Sequence, residues 1–383
     1  MKEVNIKLRT KVMWIIIAVI LLLAISASIL TFALNYYNYG KDPVVEESAH
    51  NVILLIGDGM GINHIKAAEI YHGSGLVMNT KLTSSGEVMT HSLSLKATDS
   101  AAAATAMATG RKVKNGQISW AGNENLSTLT ELAQSLGMRT GIVTTKPAYD
   151  ATPAAFSAHV KSRDNTEDIV YQQIHNSNLN VLMGLGKSFY DPYTDVITTE
   201  TRDYVNSFSA LNASSKDNVY AILEDDAIAT LGTNTLATLT ERALDKLTVN
   251  NNEDGFFLMV EGAKIDSYSH DNDIESMIEQ LLAFDNAVSV AYNFAKKHPN
   301  TTVIVTSDHE TGNLKIPTKT SDTSIDGEEA EELTADDIEN SWFKSTKHTG
   351  QNVKYFAFGP GAKAIPAEID NTDIYEIIAQ LIG

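Results

Sequence analysis

Three hydrophobic runs in this sequence end abruptly in charge. Val52–Ile56 leads into Gly57-Asp58-Gly59, Phe256–Val260 into Glu261-Gly262, and Thr302–Thr306 into Ser307-Asp308-His309. Short runs of this kind, β-branched or aromatic and without polar alternation, read as strands buried on both faces. Similar runs occur at Thr140–Thr144, Val181–Met183 and Val353–Phe358. Between them lie stretches with apolar residues three and four apart. One follows Ser127, an expected N-cap, with Leu129, Leu132, Ala133 and Leu136 on one face and Gly137 as the stop; another runs from Ile274 to about Lys297. Strands alternating with helices predict an α/β fold: a single large domain whose central, mainly parallel sheet is covered by helices on both faces. Ligands of such sheets bind beyond the carboxyl ends of the strands. Strand ends carrying Asp58, Glu261 and Asp308-His309 therefore point to one polyvalent cation site on one rim.

Other segments offer donors to the same rim. Asp266 and His270 stand four residues apart, on one face if the segment is helical, and a mixed Asp/His set suits zinc. Asp58, Glu261 and a hydroxyl suit a harder ion such as magnesium. In Thr98-Asp99-Ser100, followed by a run of alanines, Asp99 or Ser100 can cap a helix. A serine there meets free backbone N–H groups and the positive end of the helix dipole, which favour an alkoxide and a phosphoryl oxyanion. Asp150-Ala151-Thr152-Pro153 supplies another hydroxyl, and Arg163 a planar fork that can grip two phosphoryl oxygens. Taken singly, each has a plainer reading: an ordinary cap, a surface ion pair, a solvated arginine. Their combination with the charged strand ends favours chemistry.

Composition narrows the partners. The net charge of −19 and the lack of a dense Lys/Arg run speak against nucleic-acid binding. The absence of cysteine excludes disulfides and thiolate ligands. Lys2, Lys7, Arg9 and Lys11 precede an apolar run from Val12 to Leu34, long enough as a helix to cross a bilayer core of ~30 Å. The expected organisation is a basic cytosolic segment over 1–11, a transmembrane anchor over 12–34, a linker over 35–50 and an extracytoplasmic catalytic domain over 51–383. A cleaved signal is the alternative to the anchor. The acidic stretch Asp322–Glu339 reads as a surface excursion, His64, His72, His91, His175 and His298 as residues without a site, and His159 as a packing or supporting residue.

Gly57-Asp58-Gly59-Met60-Gly61, Thr98-Asp99-Ser100-Ala101-Ala102, Asp150-Ala151-Thr152-Pro153-Ala154-Ala155, Ser162-Arg163, Val260-Glu261-Gly262-Ala263, Asp266 with His270, Ser307-Asp308-His309-Glu310-Thr311-Gly312 and Lys347-His348-Thr349 stand in the order found in one family. In these segments the chain resembles the alkaline phosphatases, from about Asn51 to its end. The resemblance implies hydrolysis of small phosphomonoesters through a phosphorylated Ser100. It implies one zinc on Asp266, His270 and His348, and a second on Asp58, Asp308 and His309 that also contacts Ser100. It further implies a magnesium on Asp58, Thr152 and Glu261, supported by Asp150 through water, with Arg163 clamping the phosphate. A homodimer is suggested on the same ground alone. Ser267 departs from the pattern, since many bacterial relatives carry lysine there. The rival readings are a phosphodiesterase or sulfatase on the same platform, and a non-catalytic, membrane-anchored module that binds phosphate or metal.

Overall fold

The computed structural model describes residues 47–224, 232–249, 253–317 and 332–383. A ten-stranded sheet organises them. Its strands are β1 (Asn51–Gly57), β2 (Ser84–Met89), β3 (Arg139–Pro147), β4 (Val181–Leu185), β5 (Arg202–Val205), β6 (Asn218–Ile222), β7 (Phe256–Gly262), β8 (Thr301–Thr306), β9 (Val353–Phe358) and β10 (Glu368–Asp370). Their order across the sheet is β10-β2-β9-β8-β1-β7-β3-β4-β6-β5. Every pairing is parallel except those of β9, which runs against both β8 and β2. The central strands β1, β7 and β8 are buried along their whole length, as their unbroken apolar sequences require. Strands β2 and β5 alternate or are only half-buried, which is why no continuous apolar run announced them.

Successive residues of β1 serve opposite layers. Ile53 and Leu55 pack on one face with helices α1 (Ile62–His72), α5 (Thr235–Leu247) and α7 (Ile274–Lys297). Val52, Leu54 and Ile56 pack on the other with α2 (Ser100–Thr109), α3 (Leu129–Ser135) and α8 (Asp373–Ile382). Two shorter helices, α4 (Ala151–Ala155) and α6 (Lys264–His270), follow β3 and β7 at the rim.

The expected helix after Ser127 is capped one residue later. Thr128 Oγ1 accepts from Glu131 N, and the Glu131 carboxylate accepts from Thr128 N. This reciprocal box needs its acid three residues after the cap, a condition that Thr128 meets and Ser127 does not. The compact region also takes in Ala49, which is buried and donates its N–H to Leu381 O at 2.8 Å. Among the described residues no helix is long and apolar enough to cross a membrane. The expected span Val12–Leu34, the basic segment 1–11, most of the linker 35–50 and the first part of the acidic stretch lie outside them.

Candidate active site

Register brings the charged strand ends level. Ile56 of β1 lies opposite Thr306 of β8 on one side and Glu261 of β7 on the other, and Glu261 in turn lies opposite Thr144 of β3. Asp58, Asp308 and His309 therefore leave the sheet together, all buried. Asp308 Oδ1 accepts from Gly59 N at 3.0 Å and His309 N at 2.9 Å. Its Oδ2 and the Oδ1 of Asp58 are buried without a hydrogen bond. His309 Nε2 stands 3.2 Å from that Asp308 oxygen and 3.6 Å from that Asp58 oxygen, in directions that make no hydrogen bond. Burial, and then the Asp308 charge, push the Asp58 carboxyl well above its ordinary range.

The Ser100 hydroxyl reaches the same imidazole. It opens α2, whose N-cap Asp99 accepts from Ala102 N at 3.0 Å. Ser100 Oγ lies 3.2 Å from His309 Nε2.

A second group forms beside the first. Asp266 and His270 come from α6, and His348 arrives through a two-residue ladder in which it pairs with Thr311. The Nε2 atoms of His270 and His348 approach to 3.0 Å, and both lie within 3.5 Å of Asp266 Oδ1. Each ring turns its Nδ1 to a carbonyl oxygen, Thr346 O at 2.7 Å for His270 and Thr98 O at 2.9 Å for His348. A carbonyl can only accept, so both Nδ1 atoms carry a proton, and each ring turns its Nε2 toward Asp266 Oδ1. Thr311 sets the third ring: its hydroxyl donates to Asp266 Oδ1 at 2.6 Å and accepts from His309 Nδ1 at 3.2 Å. Burial would raise the Asp266 carboxyl, yet the His270 and His348 rings hold it well below the usual carboxylate range.

Glu261 and Thr152 lie on the other side of Asp58. Both are buried. The Glu261 carboxyl is pushed up to about 7 by burial and by Asp150. It accepts from Thr144 Oγ1. Thr152 Oγ1 makes no hydrogen bond of good geometry, although it lies close enough to Glu261 to lower that carboxyl. Asp150 caps α4, and its Oδ1 also accepts from Arg163 Nη2 at 3.0 Å, while Arg163 Nη1 stands 3.9 Å from Asp99 Oδ2. The arginine fork is thus held between the caps of α2 and α4.

The donor chemistry fits divalent cations. Asp266, His270 and His348 form one cluster of potential ligand atoms, and Asp58, Asp308 and His309 another. Imidazole nitrogens crowded to 3.0 Å and orphaned buried oxygens are unfavourable by themselves, and a bound cation removes the penalty. A mainly parallel sheet, covered on both faces, whose strand ends gather carboxylates and imidazoles beside a serine at a helix start, defines an enzyme built to handle anionic groups with divalent metal ions.

Comparison with known proteins makes the class specific. The sequence model of the alkaline phosphatase family matches residues 49–206 and 214–337. Alkaline phosphatase 4 of Bacillus subtilis is 31% identical, over 87% of this chain and 88% of that protein. Streptomycin-6-phosphate phosphatase of Streptomyces griseus is 31% identical, over 88% of this chain and 91% of that protein. The solved alkaline phosphatase of the Antarctic bacterium TAB5 superposes with a TM-score of 0.74 at 30% identity, over 88% of this chain and 98% of that one. The chain belongs to the alkaline phosphatase family and is an enzyme of that kind, a phosphoric monoester hydrolase.

Sequence reading overlooked several residues at the site. Thr311, which bridges the two clusters, was only part of a matched segment. So was Glu310, whose carboxylate accepts from Leu314 N at 3.0 Å and from the Thr349 hydroxyl next to His348. Lys146 carried no signal except its position four residues before Asp150. His64 is buried, 3.1 Å from Ser269 Oγ, and burial lowers it to about 4, so it stays neutral behind α6. His159 packs between Ser119 O and the Glu131 carboxylate.

Gly59 is where backbone and site meet. Its φ is +75°, and a Cβ there would lie 2.8 Å from Asp266 Cα. Gly59→Ala is expected to cost about 1–3 kcal/mol from the left-handed backbone alone, and to weaken metal binding by displacing α6. Denaturant unfolding with a parallel zinc titration checks this; unchanged zinc affinity would contradict it.

Proposed function

We propose that this enzyme hydrolyses phosphate monoesters through a phosphorylated Ser100, at a site holding two zinc ions and a magnesium position. The observation that carries the reading is the Ser100 hydroxyl at the N-terminus of α2, 3.2 Å from His309 Nε2, which itself stands 3.2 Å from the orphaned Asp308 oxygen and 3.6 Å from that of Asp58.

Asp266, His270 and His348 would hold one ion, Asp58, Asp308 and His309 the other, with Asp58, Thr152 and Glu261 as an oxygen set suited to magnesium. Bound there, the ions lower the pKa of coordinated oxygen nucleophiles and neutralise charge on the phosphoryl group. A variant of the TAB5 enzyme is described with Mg bound in the M3 site. Ser100 Oγ attacks phosphorus, forming the Oγ–P bond as the ester P–O bond to the alcohol breaks. Water then attacks the phosphoserine, releasing inorganic phosphate and restoring the hydroxyl. The backbone N–H groups of Ser100 and Ala101, ahead of the capped Ala102, stand at the positive end of α2, which favours phosphoryl oxygens. Arg163, pinned by Asp150 and Asp99, presents its remaining N–H donors without having to find its orientation in each cycle. We place the catalytic domain outside the cytosol, either tethered by the 12–34 segment or released by its cleavage.

Nitrophenyl phosphate should be hydrolysed with a kcat/KM at least about 100-fold above that of the bis(nitrophenyl) diester, because a site built around a dianion leaves charge unpaired when an ester group replaces an oxygen. Equal or faster diester cleavage would overturn the reading in favour of a phosphodiesterase.

A further inference from the structure

Lys146 extends into the oxygen cluster around Asp58 from the end of β3. Its Nζ stands 3.7 Å from Asp58 Oδ2 and 3.9 Å from Asp150 Oδ2, with only 19% of the side chain exposed. The local backbone holds it there. A register shift interrupts the β3–β4 pairing between Val143 and Pro147. Within that irregularity Lys146 N donates to Thr144 Oγ1 at 3.1 Å, and the same hydroxyl donates to Glu261. One strand end thus carries an ammonium and anchors a carboxylate of the same cluster.

Resting on the proposed phosphatase reading, we infer that Lys146 supplies the third positive charge of the site, so that this enzyme holds two divalent ions tightly and a third only weakly. The buried carboxylates of Asp58 and Glu261 need neutralising, and the chain already provides a cation against Asp58 and the half-buried Asp150. Magnesium requires near-octahedral oxygen donors at about 2.0–2.1 Å and usually keeps several waters. It would have to share Asp58 with an ammonium that repels it. Lys146 therefore competes for the donors rather than assisting them, and Mg²⁺ must displace it to bind.

Metal content separates this from a lysine that merely swings aside. Wild type, Lys146→Gln and Lys146→Arg are loaded with zinc, dialysed without magnesium and analysed for bound metal; each is then titrated with magnesium chloride by calorimetry. The expected result is two ions per wild-type chain after dialysis and a magnesium affinity about 10–100-fold tighter in Lys146→Gln than in wild type. Lys146→Arg, which keeps the charge, should resemble wild type. Equal magnesium affinity in wild type and Lys146→Gln overturns the inference. So does a third ion that survives dialysis in the wild type, whatever the variants do. Acid-quenched labelling of Ser100 with phosphate on the same zinc-loaded wild type tests the underlying reading separately. Labelling with unaltered magnesium affinity rejects the role of Lys146 alone, and absence of labelling with zinc bound rejects the phosphoserine mechanism.

Discussion

Ser100→Ala is expected to fold, keep its metal ions and lose turnover by a factor on the order of 10³–10⁶, the range seen when a nucleophile is deleted from a site whose other parts remain. The fold should tolerate the change. The helix cap belongs to Asp99, which also accepts from Gly116 N at 2.8 Å, and neither bond involves the serine side chain. Alanine is the strongest helix former, and α2 is already alanine-rich and buried. Among the described residues the only side-chain hydrogen bond deleted is the one between Ser100 Oγ and His309 Nε2, so the stability change should stay within about 1 kcal/mol. What disappears is the oxygen that accepts the phosphoryl group. Steady-state monoester hydrolysis, metal analysis and a thermal melt on one preparation make the comparison. Undiminished kcat would remove Ser100 from the mechanism. Lost activity together with lost metal would instead make it a structural ligand.

Asp308→Asn should reverse sign with conditions. In chelator, wild type carries Asp58 and Asp308 side by side, buried, with an oxygen of each lacking a hydrogen bond. Asparagine removes one of the two negative charges. Its amide oxygen can still accept from Gly59 N and His309 N, the two bonds that Asp308 Oδ1 makes. The metal-free variant should therefore melt at a higher temperature than metal-free wild type. With zinc the order should invert. A ligand at about 1,000 times its dissociation constant stabilises the folded state by ~4 kcal/mol, and the variant, which directs an amide N–H₂ toward the cation position, forfeits most of that. Activity should fall by at least about 100-fold. Melts of both proteins in chelator and in zinc decide the matter. If zinc stabilises the variant as much as wild type, Asp308 does not hold a cation.

Much of this was legible before any coordinates. Apolar runs ending in acid marked β1, β7 and β8, because a strand buried on both faces must be continuously hydrophobic and its first polar residue marks the rim. Helix α7 was bounded correctly at Ile274 and Lys297, since apolar spacing and the basic last turn are local signals. Asp266 and His270 were paired by their four-residue spacing, with the neighbouring strand-end carboxylates favouring a metal role. Ser100 was visible as a serine at a helix start, though its selection as a nucleophile needed the family pattern, as did His348.

The sequence by itself determined which elements form and which residues stand at their ends, because propensity, capping and hydrophobic periodicity act over a few neighbouring residues. Only the tertiary structure decided which of those ends meet. Strand order and register set Glu261 level with Thr144 and beside Asp58; the Thr311–His348 ladder carried an imidazole from the far end of the chain to Asp266. Lys146 acquired its place among carboxylates in the same way. Such encounters depend on pairing and packing between segments far apart in the chain, from 37 residues for Thr311 and His348 to 250 for Thr98 and His348, and no local pattern records them.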